Sequence, residues 1–129
     1  ALFADAQPFT LVHLLRGLSL QGKLPPLSEL FTQECFCFSY REEVRKPSAS
    51  LYERLLERFE QSGIAPEEIL HVGTRIEDDL AIARRFGMKT ILFAGDSLSV
   101  HASKAQVRNS DTKPDRLITS LGQLTEILD

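Results

Sequence analysis

The stretch that decides the fold is HVGTRIEDDLAIARRFGMKTIL, residues 71–92. Its apolar opening ends at Gly73, a turn follows, and two adjacent acids, Asp78 and Asp79, begin an amphipathic helix. Parallel α/β sheets bind ligands at the carboxyl ends of their strands, and carboxylates placed there suit magnesium. Thr74 follows the glycine directly, at a position where such a site usually has another acid. The stretch therefore predicts a metal-dependent site or the remainder of one.

The rest of the chain alternates short apolar segments with amphipathic ones. The clearest helix begins near Pro47 and ends at Gly63, a natural C-cap. Its apolar stripe contains Leu51, Leu55, Leu56 and Phe59. Strands that alternate with helices predict an α/β fold, a Rossmann-like three-layer α/β/α architecture with a parallel sheet. The predicted strands are residues 1–4, 35–40, 69–72, 89–95 and 115–118, and the other predicted helices are residues 8–18, 77–86 and 120–128.

Length and composition are those of one globular domain, predicted to cover residues 1–129. The chain is 43% hydrophobic and 26% charged, with a net charge of −3. This charge gives no reason to expect nucleic acid or an anionic membrane as a partner. No apolar run approaches the roughly 18 residues that a membrane span needs. We therefore expect no nucleic-acid partner and no membrane partner.

The two cysteines, Cys35 and Cys37, lie within a predicted strand. As same-face neighbours on a strand they are poorly placed for a mutual disulfide, and their spacing does not match a zinc or redox pair. We expect two buried, reduced thiols and a cytoplasmic protein. Because the chain begins inside an apolar segment, without a basic leader, we also expect it to be the C-terminal part of a longer protein.

Four segments together resemble the haloacid dehalogenase-like (HAD) hydrolase superfamily, whose members are mostly magnesium-dependent phosphatases. FADAQPFT, residues 3–10, is similar to the second motif of that superfamily, and SYREEVRKPSASLYERLLE, residues 39–57, to the third. ILHVGTRIEDDLAIARRFGMKTILFAGD, residues 69–96, is similar to the fourth, and residues 114–129 resemble the end of these proteins. The order of the third and fourth motifs makes the resemblance specific, and it covers residues 1–129.

The resemblance implies a chemistry in which an aspartate from a D-x-D motif takes a phosphoryl group and water then hydrolyses the aspartyl phosphate. Lys46 would supply the ammonium that offsets phosphate charge, and Asp79 would act with it in catalysis. Asp79, and more weakly Asp78, would hold Mg²⁺. The positions of Ala4 and Asp5, together with Lys46, would bind the phosphate. The implied substrate is a small phosphorylated metabolite.

Several positions depart from the superfamily pattern. The sequence contains no D-x-D motif. Ala4 stands where the second motif has a hydroxyl residue, and Asp5 stands where it usually has Asn, so that a carboxylate faces the phosphate position. Thr74 replaces the first acid of the fourth motif, and Arg75 occupies the next place, where some relatives have the acid. We therefore expect no turnover from this chain and a pseudoenzyme in the parent protein, and the departures argue against Mg²⁺ binding.

Each retained site residue also has a structural interpretation. Lys46 can be a solvated lysine that precedes a helix, although a cation there opposes the helix dipole. Asp78 and Asp79 lie in a first helical turn, where acids are favoured in any case. His71 has no spacing to another histidine that suggests a metal site, and it is interpreted as a packed strand residue.

Two further functional classes remain open on the sequence alone. A catalytically silent domain could keep the HAD fold for interaction or regulation. A phospho-receiver domain fits less well, because it needs an acidic pair on its first strand that is not present. By family resemblance the chain also lacks the central first strand of the sheet and any cap. We expect the exposed sheet edge to favour a homodimer.

Overall fold

The computed structural model describes residues 1–128, and the chain forms two compact units, Ala1–Ser62 and Gly63–Asp129. Every strand pair in both units is parallel, and helices alternate with strands along the sequence. The predicted α/β fold class is therefore confirmed, in the form of a Rossmann-like core fragment. The prediction of a single domain over residues 1–129 stays a prediction.

The first unit contains a two-stranded parallel sheet. Strand β1 pairs with β2, with Phe3 opposite Cys37 and Ala4 opposite Phe38. The strand predicted over residues 35–40 is much shorter than expected, because a 3₁₀ turn occupies Gln33–Cys35 and helix α3 begins at Ser39. The elements are β1 (Phe3–Ala4), α1 (Thr10–Ser19), α2 (Leu27–Leu30), the 3₁₀ turn, β2 (Cys37–Phe38), α3 (Ser39–Glu42) and α4 (Ala49–Gln61).

The core of the first unit forms where α4 faces β2. Leu51 and Leu55 of the predicted stripe are each at most 2% exposed, as is Tyr52, whereas Leu56 and Phe59 are only half-buried. Both cysteines are free and buried, as predicted. Burial raises the pKa of the Cys37 thiol to about 11. The positive charges of Arg58 and Arg54 lower this pKa, but by less than burial raises it. This thiol is therefore protonated and unreactive near neutral pH.

Helix α1 differs from α4, because none of its residues is buried. It begins two residues later than the predicted start at residue 8, with Phe9 as its N-cap. The apolar side chains of Phe9 and Val12 are 59% and 48% exposed. The amphipathic pattern of this segment therefore produces a helix whose apolar stripe is on the surface of the first unit.

The second unit contains a three-stranded parallel sheet in the order β3-β4-β5. Its core includes a cluster of Ile76, Leu80 and Leu92, against which Ala102 and Val107 pack. The elements are a 3₁₀ turn (Pro66–Glu68), β3 (Leu70–Gly73), a π-helical turn (Ile76–Leu80), α5 (Ala81–Arg85), β4 (Lys89–Phe93), α6 (Lys104–Arg108), β5 (Arg116–Ile118) and α7 (Gln123–Leu128). None of the helices within residues 1–128 has both the length and the apolar character that a membrane span requires.

The amino end of the second unit's sheet is held by Asp115. Asp115 Oδ2 accepts hydrogen bonds from the Thr90 backbone N–H at 2.8 Å and from the Thr90 hydroxyl at 2.9 Å. Arg84 Nη1 lies 3.3 Å from Asp115 Oδ1. Partial burial raises the pKa of this carboxyl, but the hydrogen bonds from Thr90 and the charges of Arg84 and Lys89 outweigh that effect and lower it overall. The ionised carboxylate therefore joins the starts of β4 and β5.

The lowered pKa of Asp115 predicts a pH dependence of stability. Because the folded state binds this proton less tightly than the unfolded state, the contribution is present above the unfolded pKa and is lost as pH falls through the folded pKa. We expect Asp115→Asn to lower the melting temperature at neutral pH, with the difference from wild type shrinking toward about pH 3. Thermal unfolding by circular dichroism measures both. Asp111→Asn, at an exposed carboxylate that bonds its neighbour Ser110, is the control, and an equal loss for Asp115→Asn at both pH values would contradict the account.

Candidate functional site

Within the first unit, the chain brings the predicted phosphate-binding positions together at the carboxyl end of β1. Asp5 follows this strand, and its Oδ1 accepts a hydrogen bond from the Lys46 backbone N–H at 2.9 Å, across 41 residues of sequence. The Lys46 ammonium lies 4.2 Å from the centroid of the Phe3 ring, a favourable cation–π distance. Ala4, Asp5 and Lys46 therefore lie in one cluster, and their assignment to phosphate binding stays a prediction. The carboxylate of that cluster holds a backbone amide of the loop that carries the lysine.

Ser39 belongs to the same strand edge and was missed by the sequence analysis. It follows β2 directly, and its hydroxyl accepts from the Ala6 N–H at 2.9 Å and lies 3.3 Å from the Ala6 carbonyl oxygen. A hydroxyl residue placed immediately after a buried strand was the available signal. Since both contacts are to the backbone, Ser39 fixes the loop after β1. The loops after β1 and β2 also border an open groove, lined in part by Tyr40 and Arg45.

In the second unit, the turn after β3 directs Asp79 back toward the strand. The Leu80 N–H donates to the Arg75 carbonyl oxygen at 3.0 Å, five residues earlier, which is the hydrogen bond of a π turn. Asp79 is only 6% exposed, and its Oδ1 lies 2.8 Å from Nε2 of His71, which is 8% exposed. An imidazole N–H facing a carboxylate oxygen at this distance is a charge-assisted hydrogen bond. The most buried acid of this region is therefore held by a strand histidine.

Gly73 provides the space that this arrangement needs. A Cβ atom at position 73 would lie 2.7 Å from Asp79 Oδ2 and 3.1 Å from Leu80 Cδ2. Real Cβ atoms do not approach an oxygen so closely, and the crowding atom belongs to a buried carboxylate. The glycine at the end of β3 is thus explained by the close packing of Asp79 against the strand.

The polar residues that flank Asp79 in this turn are exposed or hydrogen-bonded. Arg75 Nη2 lies 2.7 Å from Asp78 Oδ2, and their side chains are 52% and 46% exposed. The Thr74 carbonyl oxygen accepts from the His101 N–H at 2.9 Å, and the next segment returns a hydrogen bond from the Ile76 N–H to the His101 carbonyl oxygen at 3.2 Å. The turn is therefore fixed by a short stretch of parallel pairing, with Asp78 near solvent and next to a cation.

The side chains of this turn do not offer the oxygen ligands that a magnesium ion needs. Magnesium requires octahedral oxygen coordination and is usually held by carboxylates together with water. Here Asp79 already binds His71, Asp78 faces Arg75, and Thr74 carries no charge. Among residues 1–128, no three or more His, Cys, Asp or Glu side chains form a group that could hold a metal ion.

Some of the predictions made for these residues are confirmed by the structure, and others stay predictions. The interpretation of His71 as a packed strand residue is confirmed by its burial, but its partner was not anticipated. The signal was available, because His71 and Gly73 lie two residues apart on one strand and share a face. The catalytic assignment of Lys46 and Asp79, and the metal assignment of Asp79 and Asp78, stay predictions.

Comparison with known proteins identifies relatives of this chain. A sequence model of the HAD-hydrolase-like family matches residues 43–124. No curated protein sequence matches. One similar solved structure is the putative HAD-hydrolase YfnB from Bacillus subtilis, described as bound to magnesium, with 20% identity and a TM-score of 0.57 over 72% of this chain and 36% of that one.

Two other solved structures are similar. The haloacid dehalogenase-like protein ATU0790 from Agrobacterium tumefaciens, of unknown function, is 18% identical, with a TM-score of 0.60 over 98% of this chain and 51% of its own. The 2-haloacid dehalogenase from Pseudomonas syringae pv. tomato is 26% identical, with a TM-score of 0.53 over 82% and 43%. The chain thus spans between 36% and 51% of the length of these three proteins.

The close packing at the end of β3 predicts that Gly73→Ala is destabilising. The added methyl group would displace the Asp79 carboxylate, and overpacking of this kind costs about 1–3 kcal/mol in the free energy of unfolding. Gly122→Ala is the matched control in the same unit, because its Cβ would meet only the Ser120 hydroxyl, at 3.6 Å. Urea unfolding of both variants measures the difference. Equal stabilities for the two variants would contradict the observed packing.

Proposed function

Because the chain belongs to the HAD-like hydrolase family, we propose that it is a domain of the phosphatase type and that on its own it does not hydrolyse phosphate esters. The family resemblance assigns the reaction to an aspartate of a D-x-D motif, and this sequence contains none. The proposed ligand of the parent site is the phosphate group of a small phosphorylated metabolite. Cytoplasmic localisation is part of the same proposal.

The observation that carries the proposal is the contact between Asp5 and the Lys46 backbone. At the place where the family resemblance expects a hydrogen-bond donor to phosphate, the chain has a carboxylate that accepts from Lys46 N–H. A phosphate oxygen next to this carboxylate would be repelled by its charge, although solvent screens an exposed group such as Asp5. Ala4 adds no hydroxyl to compensate. The cluster therefore keeps the lysine but disfavours the phosphate.

Divalent metal supports catalysis in the proposed parent chemistry, because it neutralises the charge that develops on the transferred phosphoryl group. YfnB is described as bound to magnesium. In this chain Thr74 occupies the position of the first acid of the fourth motif. The second acid, Asp79, binds His71. These two positions support the loss of activity independently of the first unit.

A hydrolysis assay tests the proposal. The chain is incubated with excess magnesium and a generic phosphate ester, and in parallel with a 2-haloacid, since one similar structure is a dehalogenase. We expect product to form no faster than with a Lys46→Ala variant. The reason is that the chain has neither a D-x-D nucleophile nor a complete set of hydrogen-bond donors to the phosphate group. Magnesium-dependent release of phosphate that Lys46→Ala abolishes would contradict the proposal.

A second candidate function is a catalytically silent interaction domain that associates with a second copy of itself. Two observations favour it. Within residues 1–128, β1 and β3 each have one pairing partner and lie at the edge of their sheets. Helix α1 has no buried residue, and its apolar side chains Phe9 and Val12 are about half exposed. Unpaired edges and apolar surface both promote association between chains.

Sedimentation equilibrium at increasing protein concentration tests self-association. If sheet edges pair, the apparent mass rises toward a dimer, and hydrogen exchange of the Leu70 and Val72 amides on β3 slows at the high concentration. Amides of the exposed helix α6 serve as the internal control, because they do not lie on a sheet edge. A monomer mass over the whole concentration range would exclude the homodimer.

A further inference from the structure

We propose that the His71–Asp79 pair is a structural lock for the turn after β3, and that Asp79 is committed to His71 rather than to a divalent cation. This inference concerns how the second unit is held together. It rests on the same Asp79 contact that supports the proposed function, and melting temperatures test it without an assay of activity.

Three local features of the backbone converge on the Asp79 carboxylate. The π turn rotates position 79 toward the sheet through the hydrogen bond from Leu80 N–H to the Arg75 carbonyl oxygen. Gly73 leaves room for Oδ2, which would lie 2.7 Å from any Cβ at that position. His71, on the same face of β3, presents Nε2 to Oδ1 at 2.8 Å. Oδ1 of Asp79 thus bonds to His71, and Oδ2 packs against the backbone of the same strand at Gly73.

Because Asp79 is buried, its hydrogen bond to His71 matters for the stability of the folded chain. The two side chains are each 9% exposed, so an ionised carboxylate there has lost most of its hydration. An isolated buried charge is strongly unfavourable, whereas a charge that keeps a hydrogen-bonded partner is tolerated. Removal of either member leaves the other without this compensation. The two residues should therefore be coupled in stability.

The neighbouring side chains explain why a cation is not needed in the same place. In a metal site the positive charge of the ion would hold the carboxylates after β3 together. Here the imidazole binds Asp79 and the Arg75 guanidinium binds Asp78. The third carboxylate, Glu77, accepts a hydrogen bond from Gln106 Nε2 at 3.2 Å. Protein groups thus contact all three carboxylates. Because Asp79 Oδ1 is bonded to His71, a magnesium ion would have to bind Oδ2, which packs against Gly73 in a residue that is only 6% exposed.

Thermal unfolding of the chain tests the proposal without any assay of activity. Wild type is compared in excess EDTA and in excess magnesium chloride, and equal melting temperatures are expected. His71→Leu and Asp79→Leu should each lower the melting temperature by roughly 10 °C or more, and the double variant should lose clearly less than the sum of the two. Arg75→Ala and Asp78→Ala, at the exposed pair of the same turn, should shift it by only a few degrees.

The overturning results are equally specific. A magnesium-induced rise in the wild-type melting temperature that Asp79→Asn abolishes would identify Asp79 as a metal ligand. Additive losses for His71→Leu and Asp79→Leu would show that the two side chains do not act together. If the leucine variants do not fold, His71→Gln and Asp79→Asn are used for the same cycle, and the wild-type comparison requires no variant. If the hydrolysis assay releases phosphate while magnesium leaves the melting temperature unchanged, the proposed function is wrong. The structural role of the His71–Asp79 pair is then still supported.

Discussion

The second unit is organised around one buried carboxylate. Asp79 lies between an imidazole and a strand backbone, and its position determines what can surround it: a glycine at 73, a histidine at 71 and a π turn in place of a regular helix start. The same turn places Ile76 and Leu80 in the apolar cluster under the sheet. A polar contact and an apolar core thus require the same backbone geometry, so neither can change without the other.

In the first unit, the retained Lys46 and the departing Asp5 have comparable structural contacts. Asp5 binds the backbone of the loop that carries Lys46, and the lysine ammonium lies over Phe3. Phe3 in turn meets the buried Tyr52 edge-on, with ring centroids 4.9 Å apart. In both units, residues that the family resemblance assigns to the site have contacts that stabilise the fold. Membership of the HAD-like hydrolase family is therefore compatible with a chain whose site residues have acquired structural partners.

Much of the architecture follows from the sequence, because the periodicity of apolar residues is strong. Leu51 and Leu55 of the α4 stripe are buried as expected, and the strands predicted around Val72 and Ile91 are β3 and β4. Boundaries were predicted less well. The aromatic run that includes Phe36 and Phe38 suggested a strand over residues 35–40, but β2 pairs with only the two residues of β1 and stops at Ser39, where α3 starts.

The contacts that define the site could be predicted only in part. Asp5 and Lys46 were placed together because both follow strand ends, which parallel topology brings to one edge. The contact between Thr90 and Asp115 joins residues 25 apart and has no local signature. The π turn was also missed, since helical periodicity near Asp79 does not distinguish a four-residue from a five-residue hydrogen bond. That difference decides whether the carboxylate faces solvent or the sheet.

The central claim is that the carboxylate at the end of β3 is held by protein groups. A crystal structure of the chain grown with excess magnesium tests it most directly. The account predicts Asp79 Oδ1 within hydrogen-bond distance of His71 Nε2 and no ion bound to either carboxylate oxygen. A magnesium ion about 2.0–2.1 Å from either Asp79 carboxylate oxygen would contradict it, whether or not His71 keeps its hydrogen bond.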